Sequence, residues 1–260
     1  MFLLKKFRNI RNYNDLNFFT FLLKYLIMKK FIILIFNIRK LKVSSKLFGA
    51  FLLFFILSAI NVSFGLNETQ KQSLIDKAWG TVFNEPQATI DLCQKVLSDK
   101  SNEKDSALIA QINRLLGSAY FNISDYSKSI EYYSKSLSYY YSKNDQQKIA
   151  DLNNDIARAF TLINKISESI QYFNNALNIF QKLDKKKEQS LVMGNIGICF
   201  YYQMDYVNAV SYYLRALIIA DKLKDKELIS MHISNIGMIY GQLKNFDKAL
   251  LYFQKAQKIY

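Results

Sequence analysis

Small and large apolar residues recur along this chain on a 40-residue ruler without insertion or deletion. Six columns carry the pattern: Gly117, Ala157, Gly197, Gly237; Tyr120, Phe160, Phe200, Tyr240; Tyr126, Ile166, Tyr206, Phe246; Ser129, Ser169, Ala209, Ala249; Tyr133, Phe173, Tyr213, Phe253; and Ser136, Ala176, Ala216, Ala256. The first small residue and first ring of a unit lie three apart, on one face of a helix. The second small residue, second ring and third small residue are four and then three apart, on one face of a second helix. Polar turns separate the two: Ser124-Asp125, Asn164-Lys165, Met204-Asp205 and Lys244-Asn245. Asp125, Asp205 and Asn245 are placed to cap second helices, and Asp105, Asp145 and Asp225 to cap first helices. Lys185 breaks that column, with Asp184 beside it.

Each unit is thus a predicted helical hairpin. Gly or Ala lets the helices approach, and the rings fill the space around them. A single hairpin cannot bury its apolar face, so neighbours must stack. The expected fold is all-α: a right-handed α-solenoid of antiparallel hairpins with a 40-residue period.

The stretches Leu116-Gly117-Ser118-Ala119-Tyr120 and Ile236-Gly237-Met238-Ile239-Tyr240, with Ala249, Phe253 and Ala256 in the matching second helix, resemble the tetratricopeptide repeat. There are departures. Asn113, Asn153, Met193 and Ile233 stand where the family has an early Trp, and no unit has the closing Pro. The 40-residue period exceeds the usual 34 or so, which implies longer helices or longer links. Four units are expected over about 105–144, 145–184, 185–224 and 225–260. A worn unit precedes them over 66–104, with Ala78 and Trp79 on its first helix and Pro86 opening a second that bears Ile90, Cys93, Val96 and Leu97.

Charge separates the leader from the array. The first 65 residues hold eleven Lys and Arg against Asp15, so +10 of the chain's +14 lies there and the repeats carry +4. A nucleic-acid partner needs positive charge on a folded face, so none is expected. After the basic leader of residues 1–46, an uncharged segment from Leu47 to Val62 runs into Ser63-Phe64-Gly65, the order of a secretory signal cut before Leu66. Its length falls between a signal core and a spanning helix. Two readings stay open: a cleaved signal over 47–65, or an uncleaved membrane anchor through 47–63. Either exports the repeats across the cytoplasmic membrane, to a periplasmic or other extracytoplasmic location. Met28-Lys29-Lys30 offers a second start. Phe18 to Phe36, broken by Lys24, Lys29 and Lys30, is a poor spanning helix, and its rival reading is a membrane-surface helix.

Catalytic chemistry finds no foothold in the sequence. His232 has no second His or Cys nearby, and a lone helical His is ordinarily packed or solvated. Gly194 and Gly197 lack the preceding strand and the Gly-Lys-Ser/Thr of a phosphate loop. Cys93 and Cys199 lie three repeats apart, too far for a disulfide, and read as buried core residues. In Tyr139-Tyr140-Tyr141 the middle ring continues the inward face, and its neighbours point outward or into the link. No enzyme activity, cofactor or metal is expected.

Binding is what the resemblance implies: in tetratricopeptide arrays the first helices line a concave groove that takes a protein or peptide segment. Here that side would present Arg114, Ser118 and Asn122, then Asn154 and Arg158, then Asn195 and Tyr202, then Asn235 and Gln242. Asn195 and Asn235 share one column, which departs to Asp155 and Leu115. A carboxamide both donates and accepts, so these asparagines suit a peptide backbone or, equally, a neighbouring helix. The array stops at Tyr260 just after an apolar face, which points to a longer protein or to self-association through the last repeat. An export signal followed by such an array resembles the sensory region of bacterial membrane signalling proteins. A self-associating assembly scaffold is the alternative.

Overall fold

The computed structural model describes residues 68–98 and 102–259, and the expectations about the basic leader, signal or anchor lie outside these residues. Among them ten α-helices follow in order: α1 Glu68–Thr81, α2 Pro86–Ser98, α3 Ser106–Asn122, α4 Tyr126–Lys143, α5 Gln146–Leu162, α6 Ile166–Lys182, α7 Lys186–Tyr202, α8 Tyr206–Leu223, α9 Lys226–Gln242 and α10 Phe246–Gln257. No strand occurs among the described residues. Each helix packs on the one before and the one after it, and the first helices α1 and α3, α5 and α7, and α7 and α9 also meet. The described residues form an α-solenoid of stacked hairpins.

The extra length of the 40-residue unit is helix. From Ser124 onward a residue with positive φ falls every twenty positions: Ser124, Asn144, Asn164, Asp184, Met204, Lys224 and Lys244. Hairpin turns and inter-hairpin links are therefore the same short device. In the first, the Ser124 amide donates to Phe121 O and the Asp125 amide to Tyr120 O, at 3.0 and 2.9 Å, closing the paired bonds of a Schellman stop. Asp125 then caps the next helix, its carboxylate accepting from the Lys128 amide at 3.2 Å. Asp105, Asp145, Asp205, Asp225 and Asn245 do the same. Lys165 and Lys185 precede α6 and α7 with no side-chain cap. Asp184, taken up in the left-handed turn, pairs with Lys186 at 2.8 Å.

Packing follows the six columns. Ala157, Ala176, Ala209, Ala216 and Ser129 are wholly buried, and Phe173 and Tyr213 are sealed within the stack. Burying such a ring contributes roughly 1.5–3 kcal/mol. A further small column, Ala110, Ala150, Ser190 and Ser230, brings paired helices together twenty-six residues apart. Ser136 Oγ donates to Ala110 O at 2.8 Å, Ser190 Oγ to Ala216 O at 2.9 Å, and Ser230 Oγ to Ala256 O at 3.2 Å. A hydroxyl satisfied by the facing helix lets two backbones meet without an unpaired polar group.

The worn first unit forms. Pro86 opens α2, and Ile75, Ala78, Val82, Ile90, Cys93 and Val96 join residues of α3 in one core. Leu97 departs from expectation and is exposed, because Val96 takes the inward position. Tyr140 is buried and Tyr141 exposed, while Tyr139 packs edge-on against Tyr140 at 5.2 Å. Both cysteines are free and buried, and burial pushes the Cys93 thiol up to about 12. At the last hairpin the ring column opens: Phe253 is 42% exposed where Phe173 is 1%.

Candidate binding groove

The groove begins with the register of the first helices. Residues four, seven or eight apart share a helical face, so Arg114, Ser118 and Asn122 form one row, Asn154 and Arg158 the next, and Asn195 and Tyr202 the third. Two depressions, of about 220 and 210 Å³, lie along these rows. The first is walled by Trp79, Phe83, Arg114, Ser118, Asn122, Tyr133 and Asp155; the second by Thr161, Leu162, Phe173, Asn195, Ile198 and Tyr202. Phe121 and Arg158 line both. The Arg158 guanidinium rests 4.8 Å from the centre of the Phe121 ring and forms the saddle between them.

Charge at the saddle is nearly balanced. Arg114 stands 5.4 Å over Trp79, with Nη2 at 3.7 Å from Asp151 and 3.9 Å from Asp155. Arg158 Nη1 lies 3.8 Å from the other oxygen of Asp155. These separations are too long for strong hydrogen bonds, so the cations attract the carboxylates without saturating their own donors. Arg114 Nε is buried with no hydrogen-bond partner among the described residues. Burial pushes the Asp155 carboxyl up to about 6, against the pull of Arg114 and Arg158. Ser118 Oγ and Tyr133 Oη are 2.9 Å apart, and burial raises the Tyr133 phenol above its usual range.

The remaining polar residues divide. Asn122 lines the first depression but donates Nδ2 to Val82 O at 2.9 Å, tying α3 to the end of the first helix. Asn195 Nδ2 donates to Asn154 Oδ1 at 3.2 Å, so this pair joins neighbouring first helices. Leu115, in the same column as Asn195, is fully buried. Asn235 is half-buried and Gln242 exposed, and neither lines the two depressions. The apolar walls depart from the sequence expectation, which names polar groups. Leu162 and Ile198 occupy the columns of Tyr202 and Arg158, so the signal lies in those columns, and a reading confined to polar groups passes over it.

His232 belongs to the core. It is fully buried, with Nε2 at 2.9 Å from Ser190 Oγ, and burial lowers it to about 4. Since Ser190 donates to Ala216 O, the imidazole donates through Nε2 and leaves Nδ1 unpartnered among the described residues. Gly194 makes room for the ring, as a Cβ there would meet His232 Cε1 at 2.8 Å. The described residues hold no group of three or more His, Cys, Asp or Glu able to bind a metal.

A stack of helical hairpins with two depressions along its first helices defines a repeat-scaffold protein. Two family models, both described as tetratricopeptide repeat, match residues 110–142 and 188–260, and the chain carries tetratricopeptide repeats. No curated protein matches its sequence. Among solved structures it is similar to BtubC (BKLC) from P. vanneervenii, at 23% identity and a TM-score of 0.54, covering 74% of this chain and 90% of that one. A Rap protein complexed with Competence and Sporulation Factor gives a TM-score of 0.64 at 17% identity, over 76% of this chain and 56% of that one. A Signal Transduction ATPase with Numerous Domains (STAND) protein from Pyrococcus horikoshii, which has a tetratricopeptide repeat sensor, gives 0.64 at 21%, over 74% and 30%. At these identities the likeness concerns the fold.

Proposed function

We propose that this chain is a non-catalytic scaffold that binds a protein or peptide segment along its first helices. The observation that carries the reading is the pair of depressions joined at the Arg158–Phe121 saddle, to which four consecutive hairpins contribute. The second depression is walled mainly by apolar side chains and suits an aliphatic or aromatic side chain of the ligand. Arg158, 48% exposed, suits a backbone carbonyl or carboxylate passing over the saddle, and the loosely engaged Arg114 adds positive potential behind it. Proteins of the same fold support a sensing role: the Rap structure holds Competence and Sporulation Factor, and the STAND protein has a repeat sensor.

In this reading the repeats are exported or membrane-anchored by the leader, and form the sensory part of a longer signalling protein. Among the described residues no helix is long and apolar enough to cross a membrane, so anchoring rests on residues 47–63. The mass of the mature chain separates cleavage before Leu66 from retention.

The test of the groove uses Trp79, the chain's single tryptophan, which lines the first depression. Peptides selected from a displayed random library should shift its emission on binding, and Phe121→Ala and Arg158→Ala should each weaken them at least tenfold. Selected peptides that bind both variants as tightly as the parent would eliminate the groove. A second reading, self-association, is favoured by apolar side chains on the surface of α10, where Phe246, Leu250 and Phe253 are 68%, 58% and 42% exposed. It requires a mass that rises with concentration and falls on Phe246→Ser.

A further inference from the structure

The outer face of α8 differs from its counterparts in the other hairpins. Val207, Leu214 and Ile218 lie seven and then four residues apart, within one narrow stripe, and are 82%, 45% and 58% exposed. The same register holds Ser127, Ser134 and Ser138 at α4, and Ser167, Asn174 and Asn178 at α6. At the last hairpin it holds Asp247, Gln254 and Lys258. Core packing does not ask for aliphatic residues here, because helices in the same setting pack with Ser and Asn in these places. The inner face of α8 is already filled by Ala209, Tyr213, Ala216 and Ala220.

Cations accompany the stripe. Arg215 is held 4.9 Å over Tyr212, and one repeat on, Lys248 and Lys255 stand 5.2 and 5.4 Å over Tyr240 and Tyr252. Lys222 is exposed at the stripe's far end. The ion pairs among the described residues engage other bases, which leaves these four without an acid there. Asp221, seven residues beyond Leu214, lies on the stripe's own face at its C-terminal end, and Asp247 is exposed on α10 in the register of Val207. Stacking on tyrosine rings fixes where three of the four positive charges sit.

We infer that the outer face of α8 is a docking site for an acidic amphipathic helix of a partner protein. The stripe rises over eleven residues, about 16 Å, and matches three turns of a facing helix. Its width of one residue fits the ridge-and-groove contact of two helices. A lipid surface asks for a broader apolar face with aromatic residues in it, which this stripe lacks. Acidic side chains on one flank of the partner helix would meet Arg215 and Lys222, seven residues apart on α8 itself. The site lies on second helices and is independent of the groove.

The experiment titrates the full chain into a labelled amphipathic peptide of about 15 residues, with Leu along one face and Glu on both flanks, and into its twin with Lys for Glu. The comparison protein carries Val207→Ser, Leu214→Asn and Ile218→Asn, the residues that α6 bears in the same register. These positions are exposed, so the changes cost little stability, and the variant's own cooperative thermal transition checks that it is folded. The expected result is micromolar binding of the acidic peptide that weakens with salt, drops at least tenfold in the triple variant, and is absent for the basic twin. Equal binding of the twins, or unchanged binding by the variant, overturns the inference. So does a parent dimer that the variant abolishes, which gives the stripe to a second copy, or variant-sensitive binding to anionic vesicles without peptide binding.

Discussion

The ring of Tyr133 occupies the space where a side chain on Gly117 would begin: a Cβ built on Gly117 stands 2.4 Å from Tyr133 Cδ1. Two further units repeat the relation, at 2.7 Å between Gly197 and Tyr213 Cε1 and a looser 3.1 Å between Gly237 and Phe253 Cε1. Gly80 and Gly241, also helical, face open space instead.

The glycines therefore sort into two classes. Ala at Gly117 or Gly197 gains helix propensity of about 1 kcal/mol but must displace a buried ring, at a cost of roughly 1–3 kcal/mol or more. Gly117→Ala and Gly197→Ala should lower the melting temperature, Gly237→Ala should lower it less because its contacts, 3.1 Å to Phe253 Cε1 and 3.2 Å to Tyr252 Cβ, are looser, and Gly241→Ala should raise it. Thermal unfolding followed by circular dichroism orders the four, and a neutral Gly117→Ala would refute the packing argument.

The two buried tyrosines of this column answer differently to loss of the hydroxyl. Tyr133 Oη shares a 2.9 Å hydrogen bond with Ser118, whereas Tyr213 Oη is buried without a partner among the described residues, because Ile198 stands where Ser118 does. Tyr133→Phe should cost about 1 kcal/mol and Tyr213→Phe should be neutral or stabilising. Denaturation midpoints of the two variants must move apart. Equal shifts would mean that the Tyr213 hydroxyl has found water or another donor.

Helix starts give a third contrast. Six of the turns that open α3 to α10 carry an Asp or Asn whose side chain accepts from the third amide of the helix, and Lys165 and Lys185 do not. Lys185→Asp should add about 1 kcal/mol by satisfying one amide and removing positive charge from the helix N-terminus. Lys165→Asp should add less, since Lys165 also stands 6.0 Å over Phe160. The expected readout is a rise of a few degrees in the melting temperature, larger at Lys185.

The hairpins were legible in the sequence because small and aromatic columns report contacts local to one unit, and Asp105 to Asn245 announce helix starts by chemistry alone. The two depressions were legible only in part. Arg114, Arg158, Asn195 and Tyr202 stand where the register puts them, but the bond from Asn195 to Asn154 and that from Asn122 to Val82 are made between helices whose spacing the sequence does not state. The stacked pairs Tyr120–Tyr132, Phe200–Tyr212 and Tyr240–Tyr252, at 5.3, 5.4 and 5.3 Å, draw on a column of tyrosines twelve residues beyond the first ring. That spacing crosses the turn, so neither helical period reveals it.

Asp155 and His232 set opposing pH dependences. The Asp155 carboxyl, ordinarily near 3.8, is raised to about 6 by burial. Between these values the folded chain holds a proton that the unfolded chain has lost, so this group's contribution is full below pH 3.8 and disappears as pH rises through 6, a change on the order of 3 kcal/mol. His232, ordinarily 6.5, is lowered to about 4 by burial. Its contribution is full above pH 6.5 and is lost as pH falls through 4, again by about 3 kcal/mol. Over the shared window from pH 4 to 6 the two slopes oppose each other, and these two groups leave the melting temperature of the parent nearly flat. The capping carboxylates Asp105, Asp125, Asp205 and Asp225 are held below 3.8 by their hydrogen bonds, so they titrate beneath this window. Asp155→Asn removes one slope, so the variant should lose stability steadily as the solution is acidified from pH 6.5 to 4. His232→Gln should show the reverse trend, with stability rising on acidification over the same interval. Melting temperatures at half-unit pH steps distinguish the cases, and parallel profiles for the two variants would show that neither group titrates as its burial dictates.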